Sequence, residues 1–240
     1  MAGHKKVFDR FLSTGFQQSN PLSSLERIIR EYDVNYSKFL PKNKSAKILD
    51  IGCGMGHFLY YLEKKGFTNF EGIDIGLEQI EFCRQHITDR VRHIKDISGY
   101  LELCSKLFDL IIMNDVIEHI PRAKIIPTLE SIYKKMKDNG TLIIKTGNAA
   151  SLYGFFLRYI DFTHEIAFTE NSLYQVLKAI GFTKIEIFPY RSSWSFNPKR
   201  ILWLLLQRIW FFILNNIYFI EVGTDRPKIL SKLLVAVAQK

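Results

Sequence analysis

The sequence is poor in cysteine, and the few that occur exclude a disulfide-stabilised scaffold. Cys53, Cys83 and Cys104 form an odd and widely spaced set, whereas disulfide frameworks use even numbers of cysteines. No Cys-x-x-Cys pair is present, which argues against a structural zinc ion. The segment from Met1 to Phe16 has a basic start but no apolar stretch of the kind that marks a signal peptide. These absences predict a protein of a reducing, cytoplasmic compartment.

Long runs of like charge are also missing, although the chain is basic. Lys and Arg exceed Asp and Glu by 33 to 24, which gives a formal net charge of +9. A scattered basic excess favours anionic partners such as phosphorylated metabolites, nucleic acid or an acidic lipid surface. With 47% hydrophobic and 24% charged residues among 240, wholesale disorder is excluded. The length fits one large domain or one domain with an insertion.

Short apolar runs alternate with segments of helical periodicity, which predicts an α/β fold around a parallel sheet. The predicted strands are 47–51, 69–74, 91–94, 108–113, 141–145, 182–188 and 233–238. The predicted helices are 58–65, 77–86, 121–137 and 173–180, with a turn at 138–140. Thr169 is the expected N-cap of the last of these helices and Gly181 its C-cap.

A glycine cluster at Gly52, Gly54 and Gly56 follows the first predicted strand. Glycines at a strand-to-helix junction allow a tight turn and a close approach of the backbone to a ligand. Asp74 ends the next strand, where a carboxylate can meet the hydroxyls of a ribose. Asp50, just before the first glycine, would repel a pyrophosphate but attract a cation. The pattern therefore predicts a cofactor that carries both a ribose and positive charge, as S-adenosylmethionine does.

These motifs resemble, in the same order, those of the class I S-adenosylmethionine-dependent methyltransferases. The matching segments are 49–56, 72–75, 95–97, 108–119 and 139–144. The resemblance implies a Rossmann-like, mostly parallel seven-stranded sheet with helices on both faces. It also implies that S-adenosylmethionine, which becomes S-adenosylhomocysteine, is bound by the following residues: Asp50, Gly52, Cys53, Gly54, Gly56, Asp74, Ile75, Asp96, Ile97, Asn114 and Asp115.

The resemblance also implies how these residues divide along the cofactor. Asp50 and the backbone of Gly52 and Gly54 would meet its methionine end, and Asp74 its ribose. Asp96 and Ile97 would flank the adenine. Asn114 and Asp115 would close the site from the fourth strand.

Two motifs that mark other classes of methyl acceptor are absent. The fourth strand is followed by 114–117, Asn-Asp-Val-Ile, instead of the Pro-Pro-aromatic motif of amino-methylating enzymes that act on DNA or glutamine. No Pro-Cys nucleophile for cytosine is present either, so nucleic acid is a disfavoured partner. Histidine is suited to general-base work near neutrality, which makes His164 the predicted base. Asp161 is predicted to orient it, and no metal ion is expected.

The segment 158–169 is similar to methyltransferases of bacterial surface-polysaccharide biosynthesis and, more loosely, to O-methyltransferases of ubiquinone biosynthesis. This similarity implies O-methylation of a sugar hydroxyl in a surface-glycan or lipid-linked precursor. Three alternatives stay open: an O-methyltransferase of a quinone precursor or other amphipathic small molecule, an RNA methyltransferase, and a non-catalytic protein that binds the cofactor.

An apolar segment precedes the last strand, and 16 of the 20 residues from 201 to 220 are apolar. Asn197 as N-cap and Pro198 as first helical residue predict a helix. Its polar side chains fall in one arc at ~100° per residue, and they are Arg200, Gln207, Arg208 and Asn215. A transmembrane span is disfavoured, because Arg208 at its centre would cost ~2.5–3.5 kcal/mol. Two readings of 197–220 remain: a helix in the membrane interface, or one buried against the domain or in a homodimer.

The predicted organisation is one methyltransferase core with an apolar helical insertion. The expected parts are an N-terminal helical segment at 1–45, a cofactor-binding core at 46–190, the insertion at 191–229 and the last strand of the sheet at 230–240. We expect a cytoplasmic enzyme, and a peripheral one at the inner face of the membrane if residues 197–220 bind lipid.

Overall fold

A computed structural model describes Val7, Ser13, residues 24–193 and residues 198–240, the side chain of Arg200 excepted. Its strands are β1 (Ile48–Ile51), β2 (Phe70–Asp74), β3 (Val91–His93), β4 (Phe108–Asn114), β5 (Met136–Gly147), β6 (Thr183–Pro189) and β7 (Leu233–Gln239). Its α-helices are α1 (Leu25–Tyr36), α2 (His57–Lys64), α3 (Leu77–His86), α4 (Ile97–Leu103), α5 (Arg122–Lys135), α6 (Gly154–Tyr159), α7 (Glu170–Ile180) and α8 (Pro198–Val222).

The seven strands form one sheet in the order β3-β2-β1-β4-β5-β7-β6. The strands from β3 to β5 pair in parallel, and β7 is antiparallel to both β5 and β6. The carboxyl ends of β1 to β5 therefore meet at one edge, where ligands bind in open α/β sheets. The predicted fold class, a mostly parallel seven-stranded sheet, is confirmed.

Two apolar cores cover the two faces of this sheet. Successive strand residues point to opposite faces, so Ile111 and Met113 of β4 belong to one core, while Leu110 and Ile112 belong to the other. Burial on both faces explains why these strands are uninterrupted apolar runs in the sequence.

Local structure differs from the prediction in three places. Helix α4 and helix α6 were not predicted, and α5 ends at Lys135 because Met136 is already extended (ψ 142) and begins β5. The predicted turn at 138–140 lies inside β5, where Asn139 adopts φ 61. Around α7 the prediction is confirmed, since Thr169 and Ser172 form a capping box and Gly181 adopts φ 108.

Helix α8 leaves the sheet after β6 and returns to it at β7. It begins at Pro198, as predicted, while the expected N-cap Asn197 lies outside the described residues. Within the described ranges, one helix is long and apolar enough to cross a membrane, and only 6% of its most apolar window is buried. Its flanking strands pair with each other, Pro189 with Leu234. The chain therefore leaves the sheet for α8 and returns from it at the same end of the strands.

Candidate active site

A cavity of about 1010 Å³ opens at the carboxyl ends of the strands. It is lined by α1 and by the loops that follow β1 to β5. All the predicted cofactor residues line it except Gly56, and so do both predicted catalytic residues, Asp161 and His164. The volume is at the upper end of the roughly 300–1,000 Å³ usual for small-molecule sites, which leaves room for a cofactor and part of an acceptor.

Asp74 is held at the end of β2 by two backbone amides. Gly54 N–H donates to its Oδ2 at 2.8 Å, and Gly76 N–H donates to its Oδ1 at 2.7 Å. Each carboxylate oxygen can accept more than one hydrogen bond, so the pair can still receive two vicinal hydroxyls. The geometry fits the predicted contact with a ribose.

The other two glycines of the loop are required by packing. A Cβ on Gly52 (φ 70) would lie 2.2 Å from Val116 Cγ2, and a Cβ on Gly56 (φ 84) would lie 2.4 Å from Cys83 Sγ. Around Gly54 (φ 51) no atom would lie within 4 Å of a Cβ, because this residue faces the cavity. Gly56 does not line the cavity; it precedes α2 and packs on Cys83 of α3.

Asp50 is a buried carboxylate at 2% exposure. The pKa of Asp50 is raised well above its usual range, mainly because the carboxyl is buried and also because Asp74 is near. The positive charge of Lys145 acts in the opposite direction and lowers this pKa. A cationic ligand beside Asp50 would favour its ionised form. This supports the prediction that the methionine end of the cofactor, with its ammonium and sulfonium groups, lies here.

Three buried polar atoms around the cavity have no hydrogen-bond partner among the described residues. They are His57 Nε2, Gln79 Oε1 and Asn114 Nδ2. Tyr36 O–H donates to Asn114 Oδ1 at 2.7 Å, which turns the amide nitrogen away from α1. Because buried polar groups are nearly always paired, these atoms fit the polar groups of a bound cofactor.

The remaining predicted cofactor residues close the cavity on its two sides. Asp96 caps α4, since its Oδ1 accepts from Gly99 N–H at 2.7 Å, and Ile97 begins that helix. The side chain of Cys53 fills the space left by Gly72, and burial raises the pKa of its thiol. Asp115 pairs with Lys145 at 2.5 Å.

His164 lies on the opposite side of the cavity, after α6. Its Nδ1 is 2.7 Å from the carbonyl oxygen of Leu157. A carbonyl only accepts, so Nδ1 carries the proton and Nε2 of the neutral ring is the acceptor. This is the tautomer that a general base needs.

Asp161 does not orient His164 as predicted. Its Oδ1 accepts from the Thr163 hydroxyl at 2.6 Å, and Thr163 Oγ1 is 2.8 Å from His119 Nδ1. The hydroxyl proton is directed to Asp161, so His119 Nδ1 is the donor to Thr163. Asp161 therefore supports His119, whose ring centroid is 4.6 Å from that of His164. Burial, followed by the neighbouring His164, lowers the pKa of His119 to about 4.

Glu118 joins the loop after β4 to the segment that carries His164. Its carbonyl oxygen accepts from Glu165 N–H at 2.8 Å and Ile166 N–H at 3.3 Å, and its carboxyl accepts from the Thr146 hydroxyl at 3.0 Å. Burial, with Asp115 as the next contributor, raises the pKa of Glu118 to about 8. The side chain is thus protonated at neutral pH and does not add a second negative charge beside Asp115.

His119, Asp161 and His164 also form a cluster that can hold a metal ion. One ligand atom from each lies within 4.8 Å of the others. Two imidazoles and a carboxylate are a common ligand set for divalent transition metals. Sequence reasoning paired Asp161 with His164 alone and predicted no metal ion, because it did not bring His119 to the same place.

This sheet order, the glycine loop and the Asp74 carboxylate define an S-adenosylmethionine-binding α/β methyltransferase. Comparison with known proteins agrees: residues 24–187 match the family model described as a methyltransferase domain. The chain belongs to this family and is an S-adenosylmethionine-dependent methyltransferase.

Similar proteins act on varied substrates. Phosphoethanolamine N-methyltransferase of Plasmodium falciparum is 26% identical over 141 residues, which are 58% of this chain and 50% of that protein. This chain thus spans about half the length of that relative. A methyltransferase of Archaeoglobus fulgidus has TM-score 0.67 at 22% identity over 90% of this chain and 95% of that one. The plantazolicin methyltransferase BpumL, solved with S-adenosylhomocysteine, has TM-score 0.61 at 17% identity over 98% and 93%. At these identities the two structures support the fold alone.

Proposed function

We propose that the enzyme methylates a sugar hydroxyl of a surface-glycan or lipid-linked precursor. The observation that carries this proposal is the fixed tautomer of His164, whose Nδ1 is bound by Leu157. A hydroxyl is a weak nucleophile until its proton is removed, so its methylation gains from a positioned base. A neutral amine acceptor would need no such base to attack.

When bound, S-adenosylmethionine supplies a methyl group on a sulfonium centre, and its loss leaves the thioether S-adenosylhomocysteine. Asp74 and the orphaned polar atoms hold the cofactor on one side of the cavity. His164 Nε2 would take the proton of the acceptor hydroxyl and so make its oxygen a better nucleophile. His119 is held neutral beside it by the lowered pKa, so it does not repel the protonated His164.

The proposal includes a place for the enzyme in the cell. Helix α8 is apolar and exposed, and the net charge of +9 suits an anionic lipid surface. We propose a cytoplasmic enzyme that binds peripherally to the inner face of the membrane, where lipid-linked glycans are available.

The test uses methyl-labelled S-adenosylmethionine with four acceptor classes: polyprenyl-linked sugars, nucleotide sugars, prenylated catechols and RNA. We expect label in the sugar of a lipid-linked acceptor, recovered after acid hydrolysis as an O-methyl sugar, and lost with His164→Ala. Label confined to RNA or to a catechol would overturn the proposal.

A second candidate is favoured by the metal-competent cluster of His119, Asp161 and His164. An O-methyltransferase of a quinone precursor could use a divalent cation there to acidify a catechol hydroxyl. Catechol turnover that rises with added Mn²⁺ or Mg²⁺ and ends with a chelator would favour this candidate. Sugar methylation that is insensitive to the chelator would favour the first.

A further inference from the structure

Helix α8 is apolar on its outer side as well as on the side that faces the protein. The inner side carries Leu204, Phe211 and Leu214 together with half-buried Gln207 and Asn215, and Asn215 Oδ1 accepts from Arg226 Nε at 2.9 Å. The outer face of α8 consists of exposed side chains, namely Leu202, Leu205, Leu206, Ile209, Trp210, Phe212, Ile213, Ile217 and Ile220. Surface helices of proteins surrounded by water carry polar residues on the side opposite the core, whereas the outer face of α8 is mainly apolar.

A second exposed apolar surface lies beside the mouth of the cavity. We call it the apolar rim, and its members in and around α6 are Leu152, Tyr153, Phe155, Phe156, Tyr159, Ile160 and Phe162. The exposure of Phe155 is 80%. The same segment lines the cavity with Leu157, Arg158 and His164. One side of α6 therefore forms the wall of the acceptor site, while the other presents aromatic side chains to the outside.

Helix α8 contacts the segment that leads into the apolar rim. Tyr218 O–H, on the half-buried side of α8, donates to the carbonyl oxygen of Ala150 at 3.3 Å, two residues before the rim begins. Leu214 is the neighbouring buried residue of α8. The outer face of α8 and the apolar rim thus belong to segments that meet at the carboxyl end of β5. Exposed apolar patches of this extent mark an interaction site.

Charge and composition select a lipid bilayer as the occupant. From Leu202 to Ile220 the chain has no acidic residue and one basic residue, Arg208, which is exposed and can reach lipid phosphates. Trp and Tyr favour the boundary between headgroups and acyl chains; Trp210 lies in the outer face of α8, and Tyr153 and Tyr159 lie in the apolar rim. Since the chain leaves the sheet for α8 and returns from it at the same end of the strands, α8 suits a position along the bilayer surface.

We propose that the outer face of α8 and the apolar rim form one surface that docks on an anionic bilayer and turns the cavity mouth toward the lipid. This docking surface rests on the proposed function, because it assumes that the acceptor is a membrane lipid. The acceptor would then pass from the bilayer along α6 into the cavity without crossing water.

The test is flotation of the full chain with vesicles of phosphatidylcholine alone or mixed equally with phosphatidylglycerol. One variant carries Leu152→Ser, Phe155→Ser and Phe156→Ser, and a second carries Ile209→Ser, Phe212→Ser and Ile213→Ser. The matched control, Leu103→Ser with Leu107→Ser, removes exposed apolar side chains that precede β4 at the opposite edge of the sheet.

We expect wild type and control to float with the mixed vesicles, and each triple variant to lose at least tenfold in bound fraction. Calorimetry checks the fold of each variant: an affinity for S-adenosylmethionine equal to that of wild type would show that the fold is intact. Failure of the wild type to float, or flotation of both triple variants like the control, would overturn the docking surface. So would a wild-type dimer that the α8 variant converts to monomer without any vesicle binding, because the occupant would then be a second copy.

Failure of this inference is distinguishable from failure of the proposed function. If detergent-solubilised lipid-linked sugar is methylated equally by wild type and variants while no protein floats, the proposed function stands and the docking surface does not. If wild type and control float, the triple variants do not, and no sugar is methylated by any of them, the docking surface stands and the proposed function does not.

Discussion

The two halves of the cavity are built by different means. On the cofactor side, around β1 and β2, the lining groups are the carboxylates of Asp50 and Asp74, of which Asp74 is held by two backbone amides, and a glycine loop. On the acceptor side, after β4 and β5, they are titratable side chains joined in hydrogen-bond chains, with Glu118 and His119 shifted in pKa in opposite directions. The comparison teaches that binding and proton transfer can be altered separately.

The largest expected effect falls on the acceptor side. His164→Ala removes the proposed base and should lower kcat about a hundredfold, or about 2.7 kcal/mol. The affinity for S-adenosylmethionine should stay at the wild-type value. Single-turnover kinetics measures this with the acceptor that the labelling experiment identifies. The matched control is His86→Ala, at an exposed histidine of α3. A rate near that of wild type would remove His164 from the base role.

A stability effect of about 2 kcal/mol is expected at Glu118. Its pKa is raised to about 8, so above pH 6.5 the folded protein holds a proton that the unfolded chain has released, and stability falls as pH rises toward 8. His119, with its pKa lowered to about 4, is neutral in the folded state over this window, and it is present in both proteins that are compared. Glu118→Gln stays neutral, so its stability relative to wild type should rise between pH 6.5 and 8.

Urea unfolding at several pH values measures this difference. Glu130→Gln, at an exposed position of α5, should unfold in parallel with wild type. A constant difference between Glu118→Gln and wild type across the window would contradict the buried, protonated Glu118.

On the cofactor side, Asp74→Ala should weaken S-adenosylmethionine binding at least tenfold, or about 1.4 kcal/mol. The loss follows from the removal of the acceptor for the ribose hydroxyls and of the partner of Gly54 N–H. Calorimetry measures it, with the exposed Asp89→Ala as control. Unchanged affinity would take Asp74 out of the site.

The smallest expected effect is at Tyr36, whose hydroxyl positions the Asn114 amide. Tyr36→Phe removes one hydrogen bond and should weaken cofactor binding about fivefold, since such a bond contributes about 1 kcal/mol. Tyr60→Phe, on α2 and outside the cavity lining, should bind like wild type. Equal affinity in both variants would show that Asn114 needs no orientation.

The same comparison explains what sequence could predict. The cofactor side depends on local signals, such as the Gly52–Gly56 loop and Asp74 at a strand end. The acceptor side depends on an approach between distant segments. After β4, Glu118 meets residues 165 and 166 through backbone hydrogen bonds, and His119 meets Thr163 through a side-chain hydrogen bond. Glu118 and His119 stand in a matched motif, and their position after β4 was the available signal.

Helix α6 escaped prediction for a different reason. Periodicity detects a helix that buries its apolar residues, whereas Phe155, Phe156 and Tyr159 of α6 are exposed. The polar arc of α8 is divided in the structure, since Gln207 and Asn215 are half-buried while Arg208 is exposed. Both deviations occur on the surfaces that we assign to the membrane.

The most direct test of the division between the two halves is one calorimetric series. S-adenosylmethionine is titrated into wild type, Asp74→Ala and His164→Ala under the same conditions. The account predicts one site per chain in wild type, at least tenfold weaker binding in Asp74→Ala, and wild-type affinity in His164→Ala. Equal loss of affinity in both variants, or no loss in Asp74→Ala, would contradict it.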